Sequence, residues 1–190
     1  MMGNHVGCPY GVSHSTVMRY DPAAHHRRSI RWKGHDYHEA RHYFVTLCTQ
    51  GRLCLFGEIK EGISGQCALY PNSSGRAVSE AWEQLQDRFP NLELDDWLLM
   101  PNHLHGIIVL PSDCKWTLYD VVHDFKSWTT TLYSRGVHAG KFEPFEKRLW
   151  HRNYFERVIR DESELCRARQ YITNNPNCWL EDKLYQQQES

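Results

Sequence analysis

The sequence predicts an α+β domain in which helices pack against an antiparallel β-sheet. Two observations lead to this prediction. Short segments rich in β-branched and aromatic residues follow one another across tight turns, as at 92–100 and 103–110, which only two residues separate. Elsewhere, apolar residues recur at helical spacing, as they do over 77–89 and 116–135.

The elements can be placed in order along the chain. Strands are expected at 43–49, 55–59 and 66–70, a helix from about 73 to 89, strands at 92–100 and 103–110, a helix at 116–135, a strand at 149–159 and a closing helix at 161–174. Helices packed on one face of such a sheet are typical of the ferredoxin-like fold. We expect a single domain over 27–180, after a disordered extension at 1–26 and before a tail at 181–190.

The composition is that of a globular protein. With 41% hydrophobic residues, a chain of 190 residues can bury a real core, and it contains no apolar run long enough to span a bilayer. No signal-peptide core is evident at the N-terminus, so we expect a cytoplasmic protein without a membrane partner. The seven cysteines include no C-x-x-C pair, which favours free thiols over disulfides or a zinc knuckle.

The net charge of −1 does not by itself indicate nucleic-acid binding, but the basic residues are unevenly distributed. The segment RRSIRWKGHDY, at 27–37, interleaves aromatic with basic residues, as expected of an arm that binds a phosphate backbone. A leader that packs one tryptophan against the domain is the alternative. A second basic stretch lies at 141–160. The candidate DNA-binding residues in the two stretches are Arg27, Arg28, Arg31, Trp32, Lys33, Arg148, Trp150, Arg152 and Tyr154.

The stretch MPNHLHGIIVL contains a candidate metal site. On a strand, His103 and His105 share one face, about 6.5–7 Å apart, while Leu104 points to the other face. Two imidazoles on one rigid face can bind a single metal ion. Two exposed histidines on an edge strand would explain the same pattern.

The closing helix contains a second pair of candidate residues. Tyr171 and Asn175 are four residues apart, so they lie one turn apart on the same helix face. Pro176 is expected to end the helix and to let the Asn175 amide turn toward a neighbouring strand. A helix that merely packs its tyrosine is the alternative.

Taken together, these motifs resemble those of the single-tyrosine HUH transposases of the IS200-like superfamily, most of all the REP-associated tyrosine transposases. The resemblance covers about 27–179. Its motifs, in the order that the family shows, are RRSIRWKGHDY, YFVTLCTQGRLCLFGEI, MPNHLHGIIVL and LWHRNYFERVIRDESEL…RQYITNNPNCW.

The resemblance implies a metal-dependent DNA strand transferase that acts on single-stranded, hairpin-forming DNA, as a monomer or a homodimer. It implies Mg²⁺ or Mn²⁺ held by His103, His105 and Asn175, with Tyr171 as the nucleophile that forms a 5′-phosphotyrosine. One metal ion can stabilise the charge on a scissile phosphate. Because imidazole binds zinc or nickel better than magnesium, the choice of metal follows from the resemblance alone.

Two other functions remain open. A domesticated protein would bind hairpin DNA without cleaving it, although the intact His103, His105 and Tyr171 argue against this. A hydrolytic metalloenzyme of the His-x-His-x-Asp-His kind would need an Asp or a third His at 107–110, where neither occurs. No residue stands out as a general base for Tyr171, and tyrosine, with a reference pKa of about 10, is a poor nucleophile without help.

Overall fold

The computed structural model describes residues 41–62 and 65–181. The expected extension at 1–26, the basic arm at 27–37 and the tail beyond residue 181 lie outside the described residues. Within the described part, no helix is both long and apolar enough to cross a membrane.

The described residues form six strands, four α-helices and two short 3-10 helices. The 3-10 helices cover Gln50–Arg52 and Asn175–Glu181. The strands are β1 (Arg41–Cys48), β2 (Gly57–Glu61), β3 (Cys67–Pro71), β4 (Glu93–Met100), β5 (His103–Leu110) and β6 (Phe155–Ile159), and the helices are α1 (Ser73–Glu83), α2 (Leu85–Arg88), α3 (Leu118–His138) and α4 (Glu162–Asn174).

The main sheet is antiparallel and has the strand order β4-β5-β1-β6. Because α1 lies between β1 and β4 and α3 lies between β5 and β6, the chain follows the β-α-β-β-α-β path of the ferredoxin-like fold. The predicted fold class is therefore confirmed. β2 and β3 pair only with each other, as a hairpin inserted between β1 and α1.

One face of the main sheet packs against α1 and α3 and holds the larger core. Leu104 and Ile108 of β5 point into this core, together with Trp82 of α1 and Phe125 of α3. Gly106 allows α1 to approach closely, because a Cβ atom at that position would lie 2.5 Å from Cζ2 of the Trp82 ring. The glycine in the His-x-His-Gly stretch thus serves packing on the face opposite the histidines.

The other face of the sheet packs against α4. Ile107 of β5 and Ile159 of β6 form a second apolar cluster with Leu165, Ala168 and Ile172 of α4. Helices therefore cover both faces of the sheet, whereas the sequence led us to expect helices on one face. Since side chains alternate along a strand, His103 and His105 lie on the face that α4 covers.

The strand expected over 149–159 is shorter than its alternating pattern indicates. Only Phe155–Ile159 pairs with β1, and the preceding residues turn past the end of β1. Trp150 makes a single bridge with Thr49 before that turn.

Candidate active site

The two histidines of β5 lie side by side in the protein interior. The centroids of the His103 and His105 rings are 4.5 Å apart, and the side chains are 0% and 2% exposed. β5 runs between β4 and β1, so it is an interior strand of the sheet. The alternative of two exposed histidines on an edge strand does not fit this position.

Hydrogen bonds fix the proton position of the His103 ring. The Asn102 amide nitrogen donates to the Arg52 carbonyl at 3.1 Å, which leaves Asn102 Oδ1 as the acceptor at 2.7 Å from His103 Nδ1. Nδ1 therefore carries the proton, and in the neutral ring Nε2 carries the lone pair.

The electrostatic surroundings keep His103 neutral. Burial is the largest cause and lowers the pKa of His103 to about 3, and the positive charge of Arg52 lowers it further. The Asn175 side chain is close enough to His103 to raise this pKa in part. A neutral imidazole is the form that binds a metal ion.

His105 is oriented by the neighbouring strand. Its Nδ1 lies 2.8 Å from Oγ1 of Thr46, its direct partner across the β1–β5 ladder. The Phe44 ring stacks on the imidazole, with the two centroids 5.5 Å apart. In both histidines Nδ1 contacts a neighbouring side chain, so a shared metal ion would be bound through the Nε2 atoms.

Tyr171 and Asn175 approach the histidines from α4. The half-buried Tyr171 ring lies edge-to-face with His105, with the two centroids 5.1 Å apart, and 5.9 Å from Phe44. Asn175 caps the C-terminus of α4 and is 3% exposed. The structure thus brings together all four residues that the sequence singled out, from a strand and a helix more than 60 residues apart.

The residues present fit a divalent metal ion. The buried Nε2 of His103 makes no hydrogen bond of good geometry, as expected of a nitrogen kept for a metal. Among the described residues, no three His, Cys, Asp or Glu side chains are grouped so that they could hold a metal, so the third ligand beside the two histidines would be the Asn175 amide oxygen. Two imidazoles and one amide oxygen would leave coordination positions for phosphate and water.

Sequence reasoning missed four residues that shape this cluster. Asn102 stands next to the histidine motif, so its role as an orienting residue could have been inferred from its position in the chain. Thr46 and Phe44 required the register of β1 against β5, and Trp179, whose ring lies 5.9 Å from His103, required the path of the final 3-10 helix.

Apart from Trp150, the predicted DNA-binding residues fall into three groups. The described residues do not include the basic arm, with Arg27, Arg28, Arg31, Trp32 and Lys33. Arg148 and Arg152 are exposed, near the end of β1 that pairs with His103 and His105. Tyr154 is half-buried, with the Lys126 Nζ atom 5.1 Å from its ring centroid.

Trp150 belongs to the core, which corrects the prediction that it lines the DNA path. Its side chain is 4% exposed and its Nε1–H donates to Thr129 Oγ1 at 2.8 Å. The ring packs against Phe56 and Phe125. Because the ring is buried and its polar atom is bonded to Thr129, Trp150 offers no surface to a base.

Comparison with known proteins identifies the family. Residues 72–175, more than half of the chain, match the family model described as "Transposase IS200 like", and this range includes both histidines, Tyr171 and Asn175. The protein belongs to the IS200-like transposase family. Membership in this transposase family implies an enzyme that cleaves DNA.

Two similar proteins extend the comparison. An uncharacterized protein of Haemophilus influenzae is 35% identical to this IS200-like transposase over an alignment 187 residues long; the match covers 88% of this chain and 97% of the relative. A REP-associated tyrosine transposase solved bound to a REP hairpin has a TM-score of 0.51 and 17% identity, covering 75% of this chain and 70% of that one. At that identity, the second comparison bears on the fold alone.

Proposed function

We propose that this protein is a single-tyrosine DNA strand transferase of the REP-associated kind. It binds single-stranded DNA that forms hairpins, cleaves it through a 5′-phosphotyrosine intermediate and rejoins it to another end. The observation that supports this proposal is the position of Tyr171, whose ring centroid lies 5.1 Å from that of His105. The His105 ring in turn lies next to the His103 ring, with the two centroids 4.5 Å apart.

The proposed reaction needs no external energy source. The Tyr171 hydroxyl oxygen attacks the scissile phosphorus, and the bond from phosphorus to the 3′ oxygen breaks. In the net reaction, the phenolic proton is transferred to that 3′ oxygen. The products are a phosphotyrosine ester at the 5′ end and a free 3′ hydroxyl. Because the ester keeps the energy of the broken bond, the 3′ hydroxyl of another strand can attack it and release Tyr171.

His103, His105 and Asn175 would hold a divalent ion, which we propose to be Mg²⁺ or Mn²⁺. When bound, such an ion stabilises negative charge on the non-bridging phosphate oxygens. The protein's own contribution is orientation, since Asn102 and Thr46 fix the two imidazoles. Preorganised ligands of this kind align the phosphate with the attacking hydroxyl.

Hairpin DNA is the proposed substrate for two reasons. A protein of similar fold was solved bound to a REP hairpin. In this chain, Arg148 and Arg152 are exposed at the end of the sheet where the cluster lies. We include the basic arm at 27–37 in the proposed DNA surface, with a monomer or a homodimer as the active form.

Covalent capture of DNA tests this proposal. The purified protein is incubated with Mg²⁺ or Mn²⁺ and a hairpin oligonucleotide carrying single-stranded flanks, taken from inverted repeats beside the coding region. We expect an adduct that survives denaturation in the wild type and in Tyr154→Phe, and none in Tyr171→Phe. An adduct in Tyr171→Phe at the wild-type level would reject this nucleophile. Tight binding without any adduct would identify a non-cleaving binding protein instead.

The histidine pair is tested separately from the nucleophile. We expect His103→Ala and His105→Ala to lose cleavage but to keep hairpin binding, because these residues act on the phosphate and not on the duplex. Thermal unfolding of each variant is the control, since both side chains are buried. Loss of binding together with a much lower melting temperature would assign the pair to folding.

A further inference from the structure

An exposed phenylalanine stands at the start of edge strand β6. The Phe155 side chain is 58% exposed, although its own strand ends in the buried Ile159. Its ring meets Phe44 edge-to-face, with the two centroids 6.3 Å apart. A single exposed aromatic side chain is ordinary on a protein surface, but this one adjoins the proposed active site.

Phe155 lies in the same cross-strand row as the catalytic cluster. Phe155 pairs with Thr46 across β6 and β1, and Thr46 pairs with His105 across β1 and β5. Directly paired residues in a sheet project from the same face. Phe155 therefore lies on the face that carries His105 and Tyr171.

Phe44 connects this exposed ring to the active-site residues. The Phe44 ring lies 5.5 Å from His105 and 5.9 Å from Tyr171, as well as next to Phe155. Phe155 is thus the outermost ring of a continuous aromatic row that begins at the proposed nucleophile. A DNA strand with its scissile phosphate beside Tyr171 can therefore extend along this row, so that a neighbouring nucleotide meets the Phe155 ring.

We propose that Phe155 binds an unpaired nucleobase next to the scissile phosphate by stacking on it; this rests on the proposed function. Aromatic side chains bind single-stranded DNA in this way because every base has an apolar face, so the contact positions the strand without reading its sequence.

The charges on β6 argue against self-association as the reason for the exposed ring. Glu156 and Arg157, both exposed, put charges on the same short edge strand, which disfavours its pairing with a strand from another copy.

Fluorescence of 2-aminopurine in the single-stranded flank tests the contact directly. The reporter base is moved one position at a time along the flank of a hairpin oligonucleotide, without metal and in a Tyr171→Phe background that prevents cleavage. We expect one flank position at which binding quenches the reporter, and loss of that quenching in Phe155→Ala. Affinity for the flanked hairpin should fall about tenfold, as for a typical stacked base.

Three matched controls make the outcome specific. Phe155→Trp should restore quenching and affinity, because it keeps an aromatic face. Tyr119→Ala should change neither, since Tyr119 is 48% exposed but belongs to α3, on the opposite face of the sheet. A blunt hairpin without flanks should bind wild type and Phe155→Ala equally.

Several results would overturn the proposal. Unchanged quenching in Phe155→Ala, or an equal loss of affinity for blunt and flanked hairpins, would exclude stacking on an unpaired base. Sedimentation showing that Phe155→Ala dissociates a wild-type dimer, with DNA affinity unchanged, would assign the residue to self-association. Because this binding assay uses neither metal nor cleavage, its outcome does not depend on the proposed covalent chemistry. Failure of the stacking proposal and failure of the proposed function can therefore be told apart.

Discussion

The Asp95 carboxylate on β4 accepts two hydrogen bonds from the Arg169 guanidinium on α4, at 3.0 Å from Nε and 2.8 Å from Nη2. Arg169 precedes the proposed nucleophile by two residues. At the opposite edge of the sheet, Glu164 of α4 pairs with Arg157 of β6 at 2.7 Å. The helix that carries Tyr171 is therefore attached by ion pairs to both edge strands of the sheet.

We expect Asp95→Asn to slow formation of the covalent adduct about tenfold while leaving hairpin affinity unchanged. A two-point charged pair fixes orientation as well as distance, and a small displacement of an attacking group is costly to the rate. The same change should lower the free energy of unfolding by about 1 kcal/mol, the upper end for a pair of partly exposed groups. Adduct kinetics, DNA titration and urea unfolding measure the three quantities.

The pH dependence of this pair has a definite sign. The hydrogen bonds from Arg169 are the main cause that lowers the pKa of Asp95. Its contribution to stability is therefore present above the ordinary carboxylate pKa, about 4, and is lost as the pH falls through the lowered value. The stability difference between wild type and Asp95→Asn should shrink in that acidic range. A difference independent of pH, or an equal effect of the loop variant Asp113→Asn, would contradict this role.

Asn102 should control metal affinity without touching the metal. The Asn102→Ala substitution removes the Oδ1 atom that accepts a hydrogen bond from His103 Nδ1, 2.7 Å away. We expect affinity for Mn²⁺ to fall about 10- to 100-fold, the usual effect of losing such an orienting contact. Asn102→Asp keeps an acceptor and should lose less. Calorimetric titration of the folded variants gives the affinities, and equal values for wild type and Asn102→Ala would reject the role.

Gly106→Ala should destabilise the domain by about 1–3 kcal/mol through overpacking. The added methyl group would lie 2.5 Å from Cζ2 of Trp82, on the sheet face opposite the histidines. Trp82→Phe removes the ring atoms that it would meet, so the two substitutions together should cost less than their sum. A strictly additive pair in urea unfolding would show that the backbone, and not the Trp82 ring, resists the substitution.

Periodicity alone predicted the parts of the site that belong to one element. A strand places His103 and His105 on one face, and a helix places Tyr171 one turn from Asn175, whatever the rest of the fold does. These local relations hold in the structure. The meeting of the two pairs came from a family resemblance, because nothing local tells which sheet face α4 covers.

Where tertiary contacts decide, the sequence was a poor guide. Trp150 stands among basic residues and looks like a DNA contact, yet Thr129 from a distant helix accepts its N–H and the core encloses it. Phenylalanine in a strand is usually buried, but the edge position of β6 leaves the Phe155 side chain exposed to solvent. Thr46 became visible as a partner of His105 only through the register of β1.

Lys126 explains why the strand expected over 149–159 is interrupted. Its ammonium group donates to the His151 carbonyl at 3.0 Å and also reaches the carbonyls of Arg152 and Asn153, at 3.5 and 3.4 Å. Carbonyl groups gathered on one cation cannot form a ladder with β1. We expect Lys126→Met to loosen this segment, to cost about 2 kcal/mol of stability for the lost charged hydrogen bonds, and to weaken DNA binding through Arg152. The exposed Lys115→Met is the matched control.

The pH dependence of stability isolates Lys126 from other groups. Burial lowers the pKa of this lysine from its ordinary value of 10.5 to about 8, against a smaller opposing effect of Cys48. Between those two values the unfolded chain binds more protons than the folded one, so the free energy of unfolding gains a contribution as the pH rises. Wild type should therefore gain stability relative to Lys126→Met from about pH 8 to pH 10.5. Unfolding curves that stay parallel across this range would show that burial does not lower the pKa of Lys126.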